Sequence, residues 1–286
     1  MRIAVLGLGP LGQKLAAALS AKGHSIVVAA RDVARSSKVA EQLGVAAAES
    51  DAEAAAEAEV VILAVHEDGL EARASRLADA GLERRVALHA SGSLGAEVLG
   101  ELERAGWSVG RLHPLVALCD ASDPTSLEGA SWSLAGGPEA LARARELLAC
   151  LAGREVHVTP GNETRYHAAA ALVAAGAVAL VEEAASSMEP ALSGEDSKAS
   201  ARRALAGLLA SIAANLDATT ASEALTGPVA RGAVTTLGAH LAELPEPTAG
   251  WYRAVLPSLA RLVRERLDDD RREALDALLR SFDADA

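Results

Sequence analysis

The chain has 286 residues, half of them hydrophobic, which exceeds one compact core and points to two domains, each with ample apolar material. Its 27 basic and 39 acidic residues leave a net charge of −12, which argues against nucleic acid or an anionic membrane surface as partner. Cys119 and Cys150 stand alone, so neither a disulfide framework nor a cysteine metal site is expected, and the first strand starts at residue 2, so no signal peptide is expected and the compartment is cytoplasmic.

Arg2 to Leu6 is a short apolar run that passes into Gly7-Leu8-Gly9-Pro10-Leu11-Gly12 and then into a helical stretch from Gln13 to Leu19. Strand, tight turn and helix in that order suit a dinucleotide. Gly7 permits the turn, Gly9 lets the backbone approach a pyrophosphate, and Gly12 lets the helix pack close to the strand, while the helix N-terminus offers free N–H groups. Ser25 to Ala30 reads as the second strand. Where NAD-binding units carry an acid at its end, this chain has Ala30 and then Arg31. Asp32 has the spacing of that acid but falls in the following loop. Arg31, Arg35, Ser36, Ser37 and Lys38 suit a 2′-phosphate instead, which points to NADP (NADPH) as the cofactor.

Glu59 to Val65 is a near-continuous apolar run, as expected of a central parallel strand, and it ends at His66-Glu67-Asp68-Gly69. Val86 to Ala90, ending in Ser91-Gly92-Ser93, and Val109 to Leu115, carrying His113, repeat the design. Ligands of doubly wound sheets bind at such strand ends, so Val65, His66, Ser91, Ser93 and His113 are expected around one crevice. Ser131 to Ala135 and Glu155 to Val158 read as two further strands, with a helix opening at Pro138 between them. After the break at Thr159-Pro160-Gly161-Asn162 only alanine- and leucine-rich helical segments follow. The expected architecture is therefore an α/β Rossmann-like domain, mostly parallel, over 1–158 and an all-α domain over 159–286.

With these residues in place, the chain resembles the 6-phosphogluconate dehydrogenase C-terminal-like superfamily. More narrowly it resembles predicted NADP-binding oxidoreductases with a Rossmann-like domain followed by a helical domain of unknown function. The resemblance rests on Gly7 to Gly12, Leu112 to Leu115, Tyr166 to Ala170, Ala224 to Gly232, and Tyr252-Arg253. It implies reduction or oxidation of a small, acidic keto or imino compound, and a helical domain that forms a homodimer. It also implies a lysine three residues before Tyr166 and an asparagine eight after His167, where this chain has Glu163 and Ala175. A catalytically inactive NADP-binding sensor is therefore the alternative.

Hydride transfer needs a group that exchanges the proton on the substrate heteroatom, and histidine titrates in the right range. His113 at a strand end and His167 at the head of the apolar helix are the candidate catalytic histidines, with Ser91 beside them. Arg165, Tyr166, Asn215, Thr226 and Arg231 are candidate substrate contacts, Thr226 to Gly232 reading as a defined loop between helices. No histidine or acid spacing supports a metal. The run from Ala168 to Val181 is apolar all round but shorter than a membrane span, so it is expected in a domain centre or a homodimer interface.

Overall fold

The computed structural model describes residues 1–118 and 127–284, so Cys119 lies outside the described residues. The chain divides into two compact units, Met1–Ala174 and Ala175–Ala286.

The first unit runs β1 (Arg2–Leu6), α1 (Pro10–Ala21), β2 (Ser25–Ala29), α2 (Val33–Leu43), β3 (Ala46–Ala47), α3 (Asp51–Ala56) and β4 (Val60–Leu63). It continues through α4 (Leu70–Asp79), β5 (Val86–His89), α5 (Gly100–Arg104), β6 (Ser108–Pro114), β7 (Ser131–Gly136), α6 (Pro138–Cys150) and β8 (Arg154–Val156). One sheet takes the order β3-β2-β1-β4-β5-β6-β7-β8, parallel except where β6 meets β7. The strands read as continuous apolar runs because both faces are covered. Along β1, Ile3 and Val5 enter the core on one face with Leu15 and Leu19 of α1, whereas Ala4 and Leu6 enter the other with Leu70 and Leu77 of α4. The chain reverses direction across the sheet between β1 and β4, which opens a crevice at their carboxyl ends.

α7 (Glu163–Met188) begins in this unit and continues into the second. The division falls later than the 158/159 boundary expected from sequence, because the first turns of α7 bond to β6, as described below. α8 (Ser197–Ala218), α9 (Ala221–Ala224), α10 (Gly227–Ala230), α11 (Val234–Glu243), α12 (Thr248–Val263) and α13 (Asp269–Ala284) complete the chain. Among the described residues the second unit is all helical, with a small core that includes Val229, Leu237, Leu256, Val263 and Leu275. The stretch read as a loop at Thr226 to Gly232 holds a one-turn helix, α10. Pro228 stands in its first turn, and Gly227 (φ 85°) and Gly232 (φ 63°) bracket it in left-handed conformations that suit glycine.

The helical stretch Glu163–Ala191 is long and apolar enough to cross a membrane by length and composition, more than the shorter run read from sequence suggested. Only 6% of its most apolar window is buried. Leu172, Val173 and Val178 are each more than 70% exposed, and Leu208, Ile212 and Leu216 of α8 add further exposed apolar surface.

Candidate active site

The glycine turn is built by close approach. Gly7 has φ 103°, and a Cβ there would lie 2.5 Å from the Ala64 carbonyl oxygen; a Cβ on Gly12 would overlap the Gly7 carbonyl oxygen. Gly9 has open space at the same position, so the turn is crowded on the protein side and free on the other. Gly9 caps α1 without a side-chain partner, and Pro10 opens the helix, leaving the N-terminal amides of α1 available to an anion. Pro10 and Leu11 serve as the first helical residues. Leu8 turns its side chain into the core, and its carbonyl accepts from Gln13 Nε2 at 2.8 Å and Arg35 Nη2 at 2.7 Å.

From this turn a groove of about 790 Å³ runs past Arg31, Asp32 and Arg35 on one side and Val65, His66, Asp68, Arg73 and Arg76 on the other. Asp32 caps α2 by accepting from the Ala34 and Arg35 amides on Oδ1, which fixes its carboxylate at the start of that helix. Ser36, a candidate cofactor contact from sequence, is fully buried. Its hydroxyl accepts from the Ala30 amide at 2.8 Å and donates to the Asp32 carbonyl, so it pins the β2–α2 turn instead of facing a phosphate. Ser37 donates to Val33 O, and neither it nor Lys38 lines the groove. Arg31 and Arg35 do. Arg73 is buried against Asp51 in a two-pronged pair of 2.6 and 2.5 Å, and its neighbour Arg76, unremarked in the sequence reading, is exposed on the same wall. The crowded turn, the free amides and the arginines fit a phosphate-bearing dinucleotide.

A second group of side chains gathers at the ends of β4, β5 and β6. Ser91 and Ser93 each donate to Glu67 Oε1 at 2.5 Å, and these two bonds hold the Glu67 carboxyl below its usual range. Ser91 is thus a buried donor to a carboxylate, not a free nucleophile. His89, fully buried, donates from Nε2 to Gly95 O at 3.0 Å and accepts the Ser91 amide on Nδ1, which fixes the neutral ring and the course of the 91–95 loop. Burial above all drives its pKa down to about 4.

His113 Nδ1 lies 3.0 Å from the Tyr166 hydroxyl. Both Tyr166 and His167 meet the His113 ring edge to face, at centroid separations of 5.7 and 6.0 Å. Adjacent positions on a helix point about 100° apart, and the two side chains accordingly reach different parts of one imidazole. A Cβ on Gly92 would lie 2.6 Å from His113 Nε2 and 2.7 Å from His167 Nδ1, so only glycine lets the loop approach both rings. His167 Nδ1 is buried without a hydrogen-bond partner. Burial, then the charges of His167 and Arg111, push the His113 pKa down to about 4, so at neutral pH it carries no imidazolium proton to give. That counts against the donor role read from sequence. Burial raises the Tyr166 pKa, and the phenol keeps its proton.

Arg111, 0% exposed, joins these parts. It donates to Leu94 O at 3.1 Å and Ser133 Oγ at 2.7 Å, and lies 3.6 Å from Glu163 at the start of α7. Arg165 is exposed on α7, and Asn215, Thr226 and Arg231 are exposed on the second unit. Among the described residues no group of histidines, cysteines and acids could hold a metal ion, and Cys150 is a free, exposed thiol. Sequence reasoning gave no site role to Glu67, His89, Arg111, Ser133 or Glu163, of which Glu67 entered only as a strand-end residue and Glu163 only as the occupant of the expected lysine position. A signal existed for two of them: a charge inside the apolar β6 run, and an acid one helical turn before Tyr166.

Residues 2–106 match the family described as NADP oxidoreductase, coenzyme F420-dependent, and residues 130–258 match a domain of unknown function, DUF2520. No curated protein matches the chain. Among solved structures, protein TM1727 from Thermotoga maritima is 19% identical with a TM-score of 0.70, covering 93% of this chain and 99% of its own. A Streptomyces aurantiacus imine reductase is 20% identical with a TM-score of 0.56, covering 99% and 95%. The Plasmodium falciparum pyrroline carboxylate reductase with NADP bound is 10% identical with a TM-score of 0.59, covering 92% and 98%. At these identities the likeness is one of fold.

Proposed function

Because this chain joins an NADP oxidoreductase domain to a DUF2520 domain, we propose that it is an NADP-dependent reductase of a small keto or imino compound. The observation that carries this reading is that two hydrogen-bonded pairs, Glu67–Ser91 and His113–Tyr166, stand near one another, with Gly92 of the loop after Ser91 packed close against His113, at the carboxyl ends of the strands whose glycine turn opens the groove. A reduced nicotinamide, when bound, supplies hydride to a carbonyl or imine carbon. Gly7, Gly9 and the α1 amides would hold its pyrophosphate, and Arg31 and Arg35 its 2′-phosphate.

Tyr166 carries the proton in this scheme. With His113 in the Nδ1–H form, the imidazole donates to the phenol oxygen and leaves the phenol proton for the substrate heteroatom. The Ser133 hydroxyl and the nearby Arg111 charge then steady the phenolate, both favouring its ionised form. The test is to mix the protein with NADPH and a panel of 2-keto acids and imines while following the absorbance of the reduced ring. Turnover with one of them is the expected result. Tight NADPH binding without oxidation of any would favour the sensor reading, which Glu163 and Ala175 at the positions noted above motivate.

We also propose that the exposed apolar residues of α7 and α8 meet a second copy of the chain, since a row of leucine and valine left in water is unfavourable by roughly 25 cal/mol per Å². Sedimentation at micromolar concentration should then give twice the 29.1 kDa chain mass. A monomer that partitions onto lipid vesicles would overturn the proposal.

A further inference from the structure

Four guanidinium groups line the groove that leaves the glycine turn, on a chain whose net charge is −12. Two of them are already engaged. Arg73 is locked to Asp51 through both prongs, and Arg35 donates to the Leu8 carbonyl at the turn itself. Arg31 and Arg76 are exposed, and among the described residues neither side chain is in an ion pair. Of the two acids in the groove, Asp32 caps α2 and Asp68 stands 3.6 Å from His66. The two free arginines rise from opposite walls, Arg31 after β2 and Arg76 on α4. On α4 the groove is lined by Gly69 at the helix cap, then Ala72, Arg73 and Arg76, a spacing of three and four that makes one stripe. That stripe begins with the two smallest side chains and ends in a long planar cation.

Building on the NADP reading, we infer that Arg76 recognises the adenine ring by stacking its guanidinium on the base, so that the two free arginines divide the adenosine between them. The pyrophosphate belongs at the glycine turn, so the adenosine half of the dinucleotide lies farther along, between the end of β2 and the α4 stripe. Its ribose sits at the end of β2, which assigns the 2′-phosphate to the Arg31 wall and the base to the wall opposite. Gly69 and Ala72 leave a low surface for a flat ring. A guanidinium plane lies well on an aromatic face, because cation–π attraction and stacking act together and the group gives up little hydration. Selection of NADPH over NADH then belongs to the Arg31 wall, while Arg76 strengthens both cofactors.

Calorimetry on the full-length protein with NADPH and NADH tests that division. Arg76→Ala should weaken both about five- to tenfold and leave their ratio within about twofold, since the base is common to them. Arg76→Trp should keep most of the affinity, because an indole stacks on adenine without a charge. The side chain is exposed, so both variants should melt with the unaltered protein. A loss confined to NADPH would place Arg76 on the 2′-phosphate and overturn the inference. So would unchanged affinity in the Ala variant, the mark of a surface arginine, or a Trp variant as weak as the Ala one, which would make the contact a charge on phosphate. Absence of NADPH binding by the unaltered protein would reject the cofactor reading and the inference with it. Turnover plays no part in the readout, so a protein that binds NADPH but reduces nothing would reject the reductase reading and still return the same ratios.

Discussion

The glycine-turn end of the groove and the His113 end of the sheet are built on opposite principles. The first is mostly main chain: amides of α1, a turn that admits only glycine at two positions, and exposed arginines on flexible stems. The second is mostly side chain, half-buried, with neutral histidines and a guanidinium tied on three sides. Binding a phosphate needs little more than donors and charge, whereas moving a proton needs a group held at one position and in one protonation state. The difference predicts that damage at the first end should appear as lost affinity and damage at the second as lost turnover.

The most severe way to break that division is Gly12→Val. Its Cβ would overlap the Gly7 carbonyl oxygen, so the turn must open, with an expected stability loss of about 3 kcal/mol or more and no detectable NADPH binding by calorimetry. Gly9→Ala sharpens it: the position is open, so the melting temperature should hold while cofactor affinity falls.

Tyr166→Phe acts at the other end. Turnover should drop about a hundredfold or more with NADPH affinity unchanged, because a proton donor acts in the transition state. Unchanged turnover would return the donor role to a histidine. Arg31→Ala is smaller and of the opposite kind: roughly a tenfold to hundredfold loss of NADPH affinity, little change for NADH, and an unaltered rate at saturation. Equal affinity of the unaltered protein for both cofactors would remove Arg31 from the 2′-phosphate.

The mildest expected effect is on acid stability. His89 and His113 have folded pKa values near 4 against an ordinary 6.5, so between these values the unfolded chain binds protons that the folded one does not. Their contribution is complete above pH 6.5 and declines as pH falls toward 4. Urea midpoints measured from pH 7.5 to 4.5 should fall accordingly, and His89→Gln should flatten the slope. A flat profile in the unaltered protein would mean that these rings are hydrated.

What could be read from the sequence follows the same divide. β1, β4 and β5 announce themselves as apolar runs, and the glycine spacing reports a local turn, so the doubly wound unit and its anion-binding end were visible in consecutive residues. Ser36 misled because a hydroxyl near arginines looks like a phosphate ligand, and only the fold shows that it satisfies the Ala30 amide. The Glu67 clamp and the Arg111 hub join residues 17 to 52 positions apart, on elements whose adjacency is a property of the sheet. β3, two residues long, carries no periodicity to read.

Arg111 also imposes an order on the making of the molecule. It is translated with β6, long before Glu163, and until the first turn of α7 arrives its charge faces a closing core without its carboxylate. A chain released at residue 158 would hold that orphaned cation permanently, a defect of about 3 kcal/mol when one partner of a buried pair is missing, whereas one ending at residue 174 would contain the remedy. The sheet is thus finished by a helix that follows it in the sequence, and the smallest piece able to ripen by itself is longer than its last strand suggests.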